Sequence, residues 1–163
     1  MEVRMLRASD DRMEISWVFE ESWRFAYRGL LPQAYLDSIP EGHWADGTDR
    51  ADHETMLLTD GEKIAGVVYY GPSRFEAFPG MGEIMAIYLR PAYIGQGGGH
   101  QLLSAALEKL REQGYTEAFL WVLEGNERAI RFYEREGFAA TEHILGDNIG
   151  GRNVNERQYR RKL

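Results

Sequence analysis

The run Gly95-Gln96-Gly97-Gly98-Gly99 carries the clearest chemistry in the chain, because it stands between a β-forming stretch, Glu83 to Leu89, and a helical one, His100 to Gln113. Glycines let a backbone approach a ligand closely. The helix behind them offers unpaired N–H groups at the positive end of its dipole. Such a loop is built to hold phosphate. Two commoner nucleotide loops fit poorly: position 100 is His, which spoils a G-x-G-x-x-G, and no Gly-Lys-Ser/Thr follows.

What the chain lacks bounds the rest of its chemistry. With no cysteine there is no thiolate nucleophile, thiolate metal site or disulfide. The histidines His43, His53, His100 and His143 show no metal-ligand spacing, so no metal is expected. His100, at the loop–helix junction, is placed to touch a phosphate or simply to face water. Catalysis is left to oxygen and nitrogen groups.

The net charge of −7 is unevenly spread: residues 1–60 hold 6 Lys/Arg against 13 Asp/Glu, and residues 61–163 hold 13 of each. That balance argues against nucleic-acid binding, which needs a basic footprint. It suits a cationic substrate near the N-terminal segment, or serves solubility alone.

The elements that must position these residues follow from periodicity. At 163 residues and 44% hydrophobic, the chain suits a single domain with one core. No apolar run approaches the ~20 residues of a membrane span, and MEVRMLRASDD has no signal-peptide core, so a cytoplasmic protein without a membrane partner is expected. A strand at 3–7 precedes a helix from about Asp10 to Arg28, capped by Ser9 or Asp10 and carrying Ile15, Val18, Phe19, Trp23 and Ala26 on one face. A short helix, PQAYLDSI, follows, and 40–52 reads as a polar loop with at most one helical turn. The runs 54–60 and 63–71, parted by Gly61-Glu62, have a hairpin signature. After the glycine loop, Leu102, Leu103, Ala106, Leu107 and Leu110 make a buried helical stripe. AFLWVL (118–123) suits a strand covered on both faces. Asn126 caps a helix to Glu136 with Ala129, Ile130 and Tyr133 inward, and strands at 138–144 and 154–163 close the chain around a glycine-rich loop. The basic end RQYRRKL reads as an edge strand guarded by charge. The order βααβββαβαββ predicts an α/β (α+β) fold, a mixed sheet with helices on both faces.

Residues 82–107, GEIMAIYLRPAYIGQGGGHQLLSAAL, followed by NERAIRFYEREGF at 126–138, closely resemble the acyl-CoA-binding core of the GCN5-related N-acetyltransferases. That family carries Gln/Arg-x-x-Gly-x-Gly/Ala at the loop, and Ile94, Gly95, Gln96, Gly97, Gly98 and Gly99 occupy the six positions. Ile94 replaces the usual polar first residue, which removes a side-chain contact and keeps backbone N–H donation. Asn126, Tyr133, Gly137 and Phe138 match the second motif.

The resemblance implies a mostly antiparallel sheet of about seven strands, with residues 82–138 as the acyl-CoA-binding core and 1–60 on the acceptor side. It implies acetyl-CoA as donor, its pyrophosphate on the loop and its arm between the strands at 83–89 and 118–123, with Ile87, Tyr88, Leu89, His100, Asn126 and Ala129 alongside. Direct transfer to an amine needs a base, an oxyanion donor and an acid for the departing thiolate. The resemblance gives the acid to Tyr133 and the base to Glu83, against the alternative of a strand-end glutamate facing water. The oxyanion donor would be a backbone N–H at 86–89. Trp23, Tyr27, Tyr35 and Trp44 lie where the family builds its acceptor pocket, and aromatics beside carboxylates suit an ammonium group. The expected function is N-acetylation of a primary amine on a small, polyamine-like molecule or a peptide, the alternative being a non-catalytic acyl-CoA sensor. Many members of the family pair as homodimers, and the last strands would offer an edge for it.

Overall fold

A computed structural model describes residues 1–163. Strand β1 (Glu2–Met5) leads into α1 (Arg12–Ala26), whose N-cap is Asp11: its carboxylate accepts from the Met13 N–H at 2.9 Å. Ser9 and Asp10 do not take that place. Asp10 accepts from Arg4 at 2.7 and 2.9 Å and from the Arg7 N–H at 2.7 Å, so it closes the β1–α1 turn instead. Next come α2 (Gln33–Ser38), a 3₁₀ turn at Asp46–Asp49, β2 (Glu54–Asp60), β3 (Lys63–Pro72) and β4 (Gly82–Leu89). The second half is α3 (Gly98–Glu112), β5 (Glu117–Leu123), α4 (Glu127–Arg135), β6 (Ala139–Ile149) and β7 (Arg152–Lys162). The element order is the one the sequence predicts.

All seven strands form one sheet in the order β1-β2-β3-β4-β5-β7-β6, antiparallel except where β4 meets β5. On one face the Leu102, Leu103, Ala106, Leu107 and Leu110 stripe of α3 packs on Leu58, Val68, Tyr70, Ile84 and Leu120. Each such leucine contributes about 1.5–3 kcal/mol on burial. On the other face Ile15, Val18 and Phe19 of α1 cover Leu57, Ile64 and Val67. A third, smaller cluster joins α2 to β5 through Leu36, Ile39 and Leu123.

The C-terminal part differs from expectation in two ways. Residues 145–153 continue both strands around a two-residue turn at Gly150-Gly151, making a long hairpin where the sequence suggested a glycine-rich loop. Strand β7 is also interior, paired with β5 on one side and β6 on the other, so the edge strand is β6. The arginines of β7 are accommodated because their heads find partners: Arg160 lies 5.1 Å over the Phe78 ring and Arg161 donates to the Glu136 carbonyl at 2.7 Å. Gln158 and Tyr159 just before them are buried. No helix is long and apolar enough to cross a membrane.

Candidate active site

The cleft arises from a register fault. Along the β3–β4 ladder Tyr70 faces Ile84 and Tyr69 faces Ala86, leaving Met85 as an extra residue, a β-bulge that re-aims the strand. Strand β4 therefore leaves β5 after only two parallel register pairs, Gly82 with Ala118 and Glu83 with Phe119. Beyond them the strands splay around a cleft of about 770 Å³. The Arg90 N–H donates to the Ala65 carbonyl of β3 at 2.8 Å, and N–H directions alternate along a strand, so Ile87 and Leu89 direct theirs away from β3, into the gap. The Leu89 carbonyl is fixed by the Ser22 hydroxyl of α1.

At one end of the cleft lies the glycine loop. Gly95 and Gly97 sit at φ +82° and +83°, conformations closed to most side chains, and α3 begins at Gly98, two residues earlier than expected. Each backbone N–H from Gly95 to His100 lacks a protein partner, and the first that finds one is Gln101, bonded to the Gly97 carbonyl at 3.1 Å. This row of free donors at a helix start fits a pyrophosphate. Ile94, Gly95, Gly97, Gly99 and His100 line the cleft; Gln96 and Gly98 do not. Gln96 bonds back to the Ala92 carbonyl at 2.9 Å, and at Gly98 a Cβ would lie 2.6 Å from Leu58, so that glycine serves close packing of the helix on β2. The His100 ring is held by the Glu136 carboxylate at 2.8 Å, which leaves its backbone N–H, rather than its ring, for a phosphate. Arg128 and Arg135 of α4 add positive charge to the lining.

Midway, Tyr88, Tyr27, Tyr133, Asn126 and Ala129 all line the cleft. Asn126 caps α4 by accepting from the Ala129 N–H at 3.4 Å. Burial pushes the Tyr133 phenol well above the ordinary tyrosine value, Tyr88 adding to the effect, and its hydroxyl has no protein partner. Desolvation also raises Tyr27 and Tyr88, whose hydroxyls lie 3.5 Å apart. These phenols stay protonated across the physiological range.

At the far end the structure departs from the sequence reading. Glu83 is fully buried and accepts three hydrogen bonds from Arg74, two from the guanidinium at 2.6 and 3.2 Å and one from the backbone N–H at 3.1 Å. Three of a carboxylate's roughly four acceptor sites are thus occupied, and Glu83 is absent from the cleft lining. It is neither a free base nor a glutamate facing water: it fixes Arg74, which does line the cleft. Of the four aromatics proposed for the acceptor, only Tyr27 reaches the lining. Trp23 packs 4.9 Å behind Tyr27 and 5.1 Å from Trp44, which itself stacks on Phe19 at 5.6 Å. Tyr35 lies against the β6–β7 turn, where a Cβ on Gly150 would approach it to 2.6 Å. Several N-terminal carboxylates are likewise engaged in structure: Glu14 accepts from the Ile64 N–H at 2.8 Å and Glu20 from Ser16 at 2.6 Å and the Gly42 N–H at 3.0 Å. Sequence reasoning missed Arg74, Phe75, Trp121, Leu145 and Glu156, which complete this end. Their convergence follows from strand order, which leaves no local signal.

The comparisons with known proteins agree with this geometry. The family model described as acetyltransferase (GNAT) family matches residues 14–138. An uncharacterized N-acetyltransferase, YuaI of Bacillus subtilis, is 32% identical over 142 residues, covering 86% of this chain and 80% of that protein. A spermidine N(1)-acetyltransferase of Thermoplasma acidophilum is 24% identical across 98% of each. Mycothiol acetyltransferases match only in part: the chain spans 57% of the one from Corynebacterium glutamicum, at 33% identity and covering 88% of this chain. In fold, the chain superposes on the PaiA N-acetyltransferase of Thermoplasma acidophilum, solved with coenzyme A, with a TM-score of 0.76 over the full length of both at 20% identity.

Proposed function

Because the chain belongs to the acetyltransferase (GNAT) family, and so is an acetyl-CoA-dependent N-acetyltransferase, we infer that it moves the acetyl group directly to a primary amine of a small molecule or peptide. The observation that supports this most is the splay of β4 from β5, which ends pairing at Glu83 and Phe119 and opens strand backbone to the cleft just ahead of the row of free N–H donors at Gly95 to His100.

Acetyl-CoA, when bound, supplies an activated thioester. Gly95 to His100 hold its phosphates through backbone N–H groups, with Arg135 and Arg128 adding charge. The N–H groups of Ile87 and Leu89 pair with the amides of its extended arm and stabilise the oxyanion that develops at the acyl carbon. Tyr133, kept neutral by burial, holds the proton that the departing sulfur needs. Arg74, locked by Glu83, stiffens the far wall. Direct transfer fits this cleft because no side chain lining it is a ready nucleophile, so acceptor and donor must meet there.

Release of free thiol from acetyl-CoA, followed across alkylamines, amino acids and peptides, tests the reading. Thiol release with at least one amine, matched by an acetylated product, is expected. Coenzyme A binding without release on any of them would instead favour a sensor.

A further inference from the structure

The acceptor end contains one carboxylate that nothing yet explains. Glu156 lies on β7, where the register sets it between Leu123 of β5 and Leu145 of β6, and all three line the cleft. Side chains at register partners share a face, so the carboxylate stands in an apolar row. The other carboxylate in the lining, Glu136, is held by His100, whereas Glu156 accepts no hydrogen bond and joins no ion pair. Arg74, the cation whose charge acts on it, is already matched by the bidentate Glu83. Glu156 is half-buried, and holding even a partly desolvated carboxylate unmatched is costly, so proteins keep such groups where a ligand or a reaction uses them.

We propose that Glu156 receives the cationic amine of the acceptor and takes up its proton, which makes small alkylammonium compounds the substrate class. The proposal rests on the acetyltransferase reading above for its chemistry, but not for its binding site. Glu156 takes one proton from the ammonium. The freed amine nitrogen bonds to the acyl carbon as the carbon–sulfur bond breaks, and the sulfur keeps that electron pair. Tyr133 gives sulfur a proton and is restored by the second proton that the nitrogen loses; Glu156 returns its own to solvent.

The surroundings suit that base. Burial among the leucines raises the Glu156 carboxyl above the usual glutamate value, Asp147 of β6 adds to the effect and Arg74 opposes it. Tyr27, at the C-cap of α1, and Tyr88 of β4 also feel its charge and stay neutral. A raised carboxyl is a better match to the proton it must accept near neutral pH.

Glu156→Gln keeps the shape and removes the charge. Calorimetric titration of 1,4-diaminobutane into the protein saturated with coenzyme A reads the anchoring without turnover, and the variant should bind about tenfold or more weakly, the loss of one charge-assisted contact. Coenzyme A affinity should not move. In turnover the variant should lose roughly 10²–10⁴ in kcat/KM, mostly in kcat. The acid limb of the wild-type pH profile should disappear, and Glu156→Asp should restore part of the rate. Equal diaminobutane affinity in wild type and variant, no binding by either, or unchanged turnover overturns the proposal. Binding that depends on Glu156 without thiol release from any amine leaves the proposed amine site standing and removes the acetyltransferase reading.

Discussion

The two ends of the cleft are built from different materials. The proposed donor end is backbone: a contiguous run, Gly95 to His100, whose N–H groups all lack a protein partner. The acceptor end is side chain: Arg74, Trp121, Leu145 and Glu156, brought from four separate segments by the sheet order. A backbone site tolerates substitution of its neighbours, which is why Ile94 can replace a polar residue there without closing the site. A side-chain site changes its ligand with each substitution. One fold can therefore keep its donor and exchange its acceptors.

Three perturbations would break or sharpen that contrast. The largest effect is expected between the two ends, at Tyr133: replacement by Phe should lower kcat by roughly 10²–10³ while coenzyme A binds as before. Rapid-quench turnover beside equilibrium binding checks it, and an unchanged kcat removes Tyr133 from the chemistry. Next comes the donor end, where Gly97→Ala forces a Cβ into a left-handed conformation at about 1–2 kcal/mol. That strain should appear as coenzyme A affinity roughly tenfold weaker with kcat nearly intact. A loss confined to kcat would show the two ends to be mechanically coupled. Smallest is a stability effect at the acceptor end. The Glu156 carboxyl is raised in the folded state, so its contribution is full below the ordinary glutamate value and is lost as pH rises through the raised one. Glu156→Gln should therefore raise the thermal midpoint slightly at pH 7 and leave it unchanged near pH 4. A lower midpoint at neutral pH would mark the residue as structural.

The contrast also explains what was legible in the sequence. Helix and strand positions follow from local periodicity, and the hairpin at Gly61-Glu62 stands where its turn signal put it. The donor loop is readable for the same reason, since all its parts are neighbours in the chain. Failures cluster where long-range order decides. The expectation of an edge strand at the C-terminus rested on its charge, yet β7 is interior because β6 passes outside it. Glu83 matched the position of a catalytic carboxylate, and only the fold reveals that Arg74, nine residues earlier, closes on it. Trp23, Tyr35 and Trp44 were placed near the acceptor by segment, whereas packing turns them toward one another and the β6–β7 turn. The acidity noted in the first 60 residues is partly engaged in caps and turns, and the unpaired carboxylate of the cleft lining comes from the opposite end of the chain.

The divergence of β4 from β5 has a mechanical side as well. The sheet consists of two panels, four strands and three strands wide, stitched by only two rungs at Gly82 and Glu83. Core packing beneath α3 holds them, but the seam itself is unzipped over most of its length. A ligand whose amides bond to the strand backbone supplies missing stitches, so filling the cleft also tightens the seam. Amide exchange along 84–89 and 120–123 would then report occupancy as faithfully as a binding isotherm.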